Sequence, residues 1–272
     1  MISILQTEFF RLKKSKLFWI LLAVTAILPL VSALLNLGLF MLAEGTYEIE
    51  GIEVNMWELL RSSDMLGSGL AGLTSFMGDS FIALICTSIF LSKEFSGGTF
   101  RNMLLANKSR RELYLSYLTV AIVIGAAFLG ASFVSTFVFW SAIFGFGGLS
   151  ATTVITACLI TIGMGLVSTV FVQTMMCMFM FGTRKLAVAL VCPLVIAIIA
   201  PSILFSFVDM LTVFGVISEA DLSWIPLYNA GLLTSVTDVD GALIGKILMY
   251  NVPLSVFFGF MGWVRFRKAD LK

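Results

Sequence analysis

The sequence contains no histidine and little charge, and both shortages narrow what the protein can do. Without histidine it lacks the commonest general base, the Ser-His and Cys-His dyads and the usual zinc ligand. Charged residues make up 12% of the chain, roughly half of what a soluble domain carries. No GxxxxGK[ST] motif occurs either, so the chain has no P-loop of its own for ATP.

Two features that could indicate a cofactor site are better explained by packing inside a membrane. The four cysteines lie in apolar segments without a CxxC pair, which predicts small buried apolar residues and neither disulfides nor metal ligands. Residues 67–72 match GxGxxG, but an acidic segment precedes them where a dinucleotide site needs a strand. We interpret these glycines as a flexible entry to a membrane span.

Long uncharged runs determine the class of protein. Residues 17–43, 113–183, 186–208 and 247–264 carry no charge, and about 20 apolar residues suffice for a helix to cross a bilayer. The run 113–183 is long enough for two spans, broken at the glycine-rich residues 145–148. We therefore predict an all-α integral membrane protein forming one transmembrane domain over 1–272, with six spans near 17–43, 70–92, 114–144, 150–182, 186–208 and 243–264.

The distribution of charge predicts the orientation of these spans. With the spans placed as above, fifteen of the 17 Lys and Arg residues lie on one side, and only Arg61 and Lys246 lie on the other. Twelve of the sixteen acids lie at or near the opposite face. Cytoplasmic loops are enriched in Lys and Arg, so we predict that both termini are cytoplasmic.

The segments outside the spans have recognisable patterns. In residues 1–16, apolar side chains recur at Ile2, Leu5, Phe9 and Leu12 and basic ones follow, which predicts an amphipathic helix in the inner membrane interface. The acidic outer loop 44–69 contains an alternating stretch that weakly predicts a β-hairpin. The outer segment 209–241 is apolar in its middle but too short to span, which favours a re-entrant hairpin before span six.

Glycines in spans three and four predict close contacts between helices. The four positions are Gly125, Gly130, Gly163 and Gly165. Small residues let neighbouring helix backbones approach closely inside a membrane.

A charged insert, residues 93–113, separates spans two and three. Gly97-Gly98 permits a sharp bend after span two. Residues 99–107 can then form a short surface helix, in which Phe100, Met103 and Leu104 share one face. Ser109 followed by Glu112 has the spacing of a capping box at the start of the next helix. An ordinary basic loop would explain the cations of this insert but not its apolar face or its two helix signals.

The insert resembles the coupling loop of ABC-2 type permeases. Its residues follow the pattern E-[FY]-x-x-G-T-x-R and then S-R about ten residues on, with Asn107 where many relatives have proline. The six spans, the interfacial helix and the broken hairpin are also similar to that family, in particular to the short bacterial permeases of peptide-antibiotic immunity. The resemblance implies that the following residues contact a separate ATPase: Glu94, Phe95, Gly98, Thr99, Arg101, Asn102, Leu104, Ser109 and Arg110.

The resemblance implies that this chain is one subunit of a larger transporter. It implies an exporter in the bacterial cell membrane, with two copies of a cytoplasmic ABC ATPase and a second permease, identical or homologous. This chain would bind no cofactor and would not be an enzyme, since ATP and Mg would lie on the partner. The cargo would be an amphipathic, peptide or lipid-like molecule. We further expect the side chains of Glu94 and Arg101 to face the aqueous inner surface, where substitution costs little stability.

Three polar residues within the predicted spans are candidates for the substrate pathway, namely Asn36, Asp79 and Thr87. Hydrogen bonding between helices is the alternative role for each of them. Two other functions remain open. An autonomous secondary transporter or channel would work without an ATPase, although such carriers usually embed several ionisable groups. An intramembrane enzyme would need clustered His, Asp or Glu within spans.

Overall fold

The computed structural model describes residues 2–42, 46–49, 52–55, 65–71, 73, 79–97, 99, 103, 109–146, 149–199, 203, 206–208, 210 and 241–268. The described chain is almost entirely helical. In chain order its elements are α1 (Ile2–Lys14), α2 (Lys16–Leu42), β1 (Thr46–Ile49), β2 (Ile52–Asn55), α3 (Met65–Ala71), α4 (Asp79–Ser96), α5 (Arg110–Phe144), α6 (Ala151–Thr183), α7 (Leu186–Leu194), continued by a π-helical turn Val195–Ile199, and α8 (Gly241–Lys268).

Four of the described helices, α2, α5, α6 and α8, are long and apolar enough to cross a membrane by length and composition. Their bounds agree with predicted spans one, three, four and six to within a few residues. Helix α2 also leaves large apolar side chains uncovered, among them Ile20 and Leu35 at 60% and 64% exposure, as a lipid-facing helix does. The chain is a multi-pass membrane protein, and the full set of six spans stays a prediction.

Local signals explain where the long helices begin and end. The Ser109 hydroxyl accepts a hydrogen bond from the Glu112 N–H at 3.2 Å, as the predicted capping box requires. Ser150 caps α6 in the same way through the N–H of Thr153. Gly145 ends α5 with a positive φ of 76°, a conformation that favours glycine.

At predicted span two the structure describes two helices, α3 and α4, and residues 72 and 74–78 between them lie outside the described residues. The bounds of this span therefore stay a prediction. Helix α4 has 18 residues, which at 1.5 Å per residue is about 27 Å. Predicted span five begins at Leu186 as expected, but its outer part and the predicted hairpin at 209–241 lie largely outside the described residues.

The weakly predicted hairpin in the outer loop is confirmed. Strands β1 and β2 pair antiparallel, with Thr46 opposite Asn55 and Ile49 opposite Ile52. The glycine-rich residues 67–71 lie in helix α3.

Helix α5 lies at the centre of the bundle, where it contacts α1, α2, α3, α4, α6 and α8. The most extensive packing between helices joins α6 to α8. The N-terminal helix α1 packs on this bundle through Ile4, Glu8 and Leu12, which are buried, with Leu5 and Phe9 half-buried beside them. The predicted apolar face was therefore rotated by about one position, and it contacts protein.

One end of the bundle is formed by the last turns of α1, α4, α6 and α8 and the first turn of α5. We call it the basic end, because the final turns of α1 and α8 carry Arg11, Lys13, Lys14, Arg265, Arg267 and Lys268.

Close packing was correctly predicted at two of the four glycines. A Cβ added at Gly125 would collide with the side chain of Thr169, and one added at Gly165 would lie 2.7 Å from Leu129. Gly130 and Gly163 have nothing within 4 Å of that position, so the prediction was wrong for them. A Cβ added at Gly262, on α8, would lie 3.2 Å from the Cα of Met178, so the backbones of α8 and α6 lie close together there.

Candidate functional site

Three segments far apart in sequence meet in a charge cluster at the basic end. Arg11 Nη1 of α1 donates hydrogen bonds to Glu94 Oε2 of α4 at 2.7 Å and to Glu8 Oε1 at 3.4 Å. The Tyr117 hydroxyl of α5 donates to Glu8 Oε1 at 3.1 Å and lies 3.5 Å from Glu94 Oε2. The Met103 sulfur lies 3.9 Å from the same hydroxyl. We call Glu8, Arg11, Glu94 and Tyr117 the buried charge cluster.

This cluster holds two carboxyl groups against one cation. The side chain of Glu8 is fully buried and that of Glu94 is 10% exposed, whereas Arg11 is 42% exposed. Burying a carboxylate is costly unless it is paired and hydrogen-bonded. Glu8 Oε2 has no hydrogen-bond partner among the described residues. A single cation therefore compensates the two acids incompletely.

Burial raises the pKa of the Glu8 carboxyl from its ordinary 4.5 to about 7. The neighbouring Glu94 carboxylate also raises this pKa, while Arg11 and the hydrogen bond from Tyr117 lower it. The proton on Glu8 is thus held more tightly in the folded protein than in the unfolded chain.

This shift predicts a pH-dependent stability. Between about pH 4.5 and 7 the native state binds more protons than the unfolded state, so the free energy of unfolding should fall as pH rises through this window. The raised pKa of Glu8 corresponds to a fall in the free energy of unfolding of no more than about 3 kcal/mol. Thermal unfolding of the detergent-solubilised protein from pH 4.5 to 8 measures it.

Two variants test the assignment to Glu8. Glu8→Gln, which cannot ionise, should remove the slope between about pH 4.5 and 7. Glu112→Gln makes the same chemical change at the start of α5 and should keep the slope. A Glu8→Gln protein that retains the wild-type slope would show that another group is responsible.

The structure corrects the expectation that Glu94 faces water, since its side chain is buried and ion-paired. The sequence analysis did not identify Glu8, Arg11 or Tyr117. One signal was available, because Glu8 lies midway between Ile4 and Leu12 at steps of four, on the face that packs inward. An acid on an apolar helix face predicts a buried partner.

Phe95, the neighbour of Glu94, enters an aromatic cluster that spans four helices. Its ring lies 5.7 Å from Phe181 of α6, which lies 5.0 Å from Phe266 of α8. Tyr114 of α5 lies 5.2 Å from Phe181, and its hydroxyl donates to the carbonyl of Gly259. Such edge-on aromatic pairs favour a fixed geometry.

The Ser109-Arg110 pair fixes the other end of the insert. Arg110 Nη1 donates to the carbonyl oxygen of Arg267 at 2.9 Å and to that of Phe266 at 3.5 Å. The last carbonyls of a helix have no partner within the helix, and a cation there also complements the helix dipole. Arg110 therefore attaches the start of α5 to the end of α8.

Both ends of the insert are thus attached to the bundle, the first through Glu94 and Phe95 and the second through Arg110. A family model described as ABC-2 family transporter protein matches residues 4–200. The chain belongs to the ABC-2 transporter family. The match includes the buried charge cluster and the insert, and it ends before α8. Comparison with curated proteins gives no match.

Membership in this family makes the chain a permease of an ABC transporter. Membrane subunits of ABC-2 transporters generally are not enzymes, and they typically work with an ATPase subunit. The described residues contain no group of three His, Cys, Asp or Glu that could hold a metal ion.

The structure describes part of the permease's predicted coupling motif. Thr99 and Met103 are helical, as expected for a short helix, and Met103 packs against the core at the basic end. Gly97 forms a turn after α4, donating its N–H to the Lys93 carbonyl at 2.9 Å. Gly98, Arg101, Asn102 and Leu104 lie outside the described residues.

The structure describes the hydrogen bonds of two of the three candidates for the substrate pathway. Asn36 Nδ2 donates to the Ser32 carbonyl and Thr87 Oγ1 donates to the Ala83 carbonyl, both at 2.8 Å and both within their own helices. These two hydrogen bonds therefore do not join neighbouring helices, which was the alternative role. Asp79 is the first residue of α4, and its side chain lies outside the described part.

Proposed function

We propose that the chain is the membrane subunit of an ATP-driven exporter that is energised by a separate ATPase through residues 93–113. The exporter would contain two ATPase copies and a second permease, identical or homologous, in the bacterial cell membrane with both termini cytoplasmic. ATP and Mg would be bound by the ATPase. The family match and the attachment of both ends of the insert support this proposal.

The observation that carries the proposal is the ion pair between Glu94 and Arg11. It ties the start of the insert to α1, while Tyr117 ties the same point to α5. Phe95 reaches α6 and, through Phe181, α8. A displacement of the insert by a partner would therefore act on several helices together, because packed interiors transmit strain and do not deform locally.

The cargo we propose is an amphipathic, peptide or lipid-like molecule. The chain contains 25 Phe and 14 Met, and these aromatic and adaptable side chains suit mixed apolar and polar ligands. The described spans contain no series of acidic or basic side chains that could carry protons across the membrane. This favours an external energy source.

Arginine substitutions at two positions of the insert test the proposal. The full-length chain would be purified together with its ATPase from the cells that produce both, and ATP hydrolysis would be measured in proteoliposomes. Arg101→Ala, within the motif, should leave insertion normal and lower permease-dependent hydrolysis at least about fivefold, as expected for the loss of one interfacial charge worth about 1 kcal/mol.

Arg111→Ala is the matched control, because Arg111 is exposed in the same insert but lies outside the motif. It should retain the wild-type rate. Equal, undiminished hydrolysis by both variants would contradict the proposed route of coupling.

Cysteine labelling tests the orientation. The Phe146 side chain, 48% exposed at the end of α5 opposite the basic end, should react as Phe146→Cys with an impermeant maleimide added to intact cells. Lys185→Cys, in the exposed turn between α6 and α7, should react only after the membrane is opened. The unsubstituted protein controls for its four native cysteines. The opposite labelling pattern would reverse the orientation and remove the insert from the cytoplasm.

A further inference from the structure

A groove at the basic end is lined by cations and, among the residues that the structure describes, by no acid. Gly182, Thr183 and Arg184 from the end of α6 face Arg265 and Lys268 from the end of α8, around an open volume of about 650 Å³. Among the residues that the structure describes, these three cations form no ion pair. Cations of like sign at close range repel one another, so the groove is electrostatically suited to an anion.

The backbone of Arg184 has a strained, left-handed conformation. In the described chain Arg184 is the one residue other than glycine with a positive φ, 58°. It ends α6 by donating its N–H to the Met180 carbonyl at 2.8 Å. Glycine or asparagine normally occupies this left-handed position, since it strains residues with larger side chains. Cations near a helix end complement its dipole, but a lysine or arginine before the end would do so without the strain.

Gly182 leaves room for the side chain of Arg265. A Cβ at Gly182 would lie 2.9 Å from Arg265 Cδ and 3.1 Å from its Nη1, so the arginine lies directly across the glycine. Any larger residue at position 182 would require the side chain of Arg265 to shift.

The groove lies where the apolar surface of the helices ends. Phe181 is buried in the core immediately before Gly182, and Trp263 precedes Arg265 by two residues. Tryptophan is enriched at the boundary between hydrocarbon and headgroups. Further back on α8, Phe260 is 62% exposed, as expected for a surface in contact with lipid tails. A phosphate in this groove would thus be at the depth of a lipid headgroup.

We propose that the groove formed by Gly182, Arg184, Arg265 and Lys268 binds the phosphate of an anionic phospholipid. Guanidinium groups match the geometry of phosphate oxygens with two parallel hydrogen bonds. Basic pockets between helices on the cytoplasmic side of membranes suit anionic headgroups. This binding would fasten the ends of α6 and α8 to the bilayer. It is independent of whether an ATPase acts on residues 93–113.

Lipid titration of the purified full-length chain in dodecyl maltoside tests this site. Phosphatidylglycerol should raise the midpoint of thermal unfolding saturably, and phosphatidylcholine, whose headgroup is neutral overall, should not. Arg265→Gln and Lys268→Gln should each weaken the apparent affinity for phosphatidylglycerol about fivefold. Lys13→Gln removes one exposed cation of α1, outside the groove, and should respond as the wild type does.

Arg184→Gly distinguishes binding from stability. Because it relieves the strained backbone, it should raise the unfolding midpoint without lipid, yet it should respond less to phosphatidylglycerol. If Arg184 had only a structural role, this variant would respond to phosphatidylglycerol as the wild type does.

Three results would overturn the proposal. One is a wild-type response to phosphatidylglycerol in all three groove variants. Another is equal stabilisation by water-soluble glycerol phosphate at the same concentration, which would indicate a free phosphate and not a lipid. The third is loss of the copurifying ATPase in the groove variants with an unchanged lipid response, which would assign the groove to a protein partner.

Discussion

Replacement of Arg11 by glutamine is expected to lower the free energy of unfolding by about 1–3 kcal/mol. Removing one partner of a fully buried ion pair typically costs about 3–5 kcal/mol. Arg11 is 42% exposed, so solvent screens part of this loss. What remains is the cost of Glu8 and Glu94 facing each other without a cation. Thermal or denaturant unfolding in detergent measures the change.

A double-mutant cycle isolates the interaction with Glu94. In the Arg11→Gln background, Glu94→Gln removes one of the two uncompensated acids and should restore part of the lost stability, with a coupling free energy of about 0.5–3 kcal/mol. Lys13→Gln is the matched control, since it removes the same charge from an exposed position of α1 and should cost within about 0.5 kcal/mol. Strictly additive effects of the Arg11 and Glu94 substitutions would mean that the ion pair contributes nothing.

Gly262→Ala is expected to destabilise the protein by about 1–3 kcal/mol, the usual cost of overpacking. A Cβ there would lie 2.7 Å from the Tyr114 hydroxyl oxygen and 3.2 Å from the Cα of Met178. The backbone of α6 cannot rotate away as a flexible side chain could, so α6 and α8 would have to separate. The displaced Tyr114 hydroxyl would also lose its bond to Gly259.

The same substitution at Gly245 provides the control within helix α8. Nothing lies within 4 Å of a Cβ at Gly245, and alanine is favoured over glycine in a helix by about 1 kcal/mol. Gly245→Ala should therefore be neutral or stabilising. Equal effects of the two substitutions would show that α6 and α8 are not in close contact at Gly262.

Helix ends were predictable where local chemistry determines them. Uncharged runs located α2, α5, α6 and α8, while Ser109 and Gly145 act as caps through their own side chain or backbone. The start of α4 was not predictable, because apolar composition shows that a segment can cross a membrane but not where its helix begins. Asp79 was accordingly placed inside span two, whereas it is the first residue of α4.

The candidate site was only partly predictable, for a different reason. The motif located Glu94 and Phe95 along the chain but not their partners, which come from α1, α5 and α6. The same limit applies to the glycines. Gly125 and Gly130 look alike in sequence, yet only Gly125 faces another helix, because helix rotation is set by tertiary packing.

Cross-linking of the insert to the ATPase tests the central claim most directly. Ser96 is exposed at the end of α4, between Phe95 and the turn at Gly97. The full-length chain would carry Ser96→Cys in a background without its four native cysteines, be produced together with the ATPase, and be treated with a cysteine-to-amine cross-linker. The account predicts a cross-linked permease–ATPase product from Ser96→Cys and none from Phe146→Cys at the opposite end of the bundle. A product from Phe146→Cys with none from Ser96→Cys would contradict it.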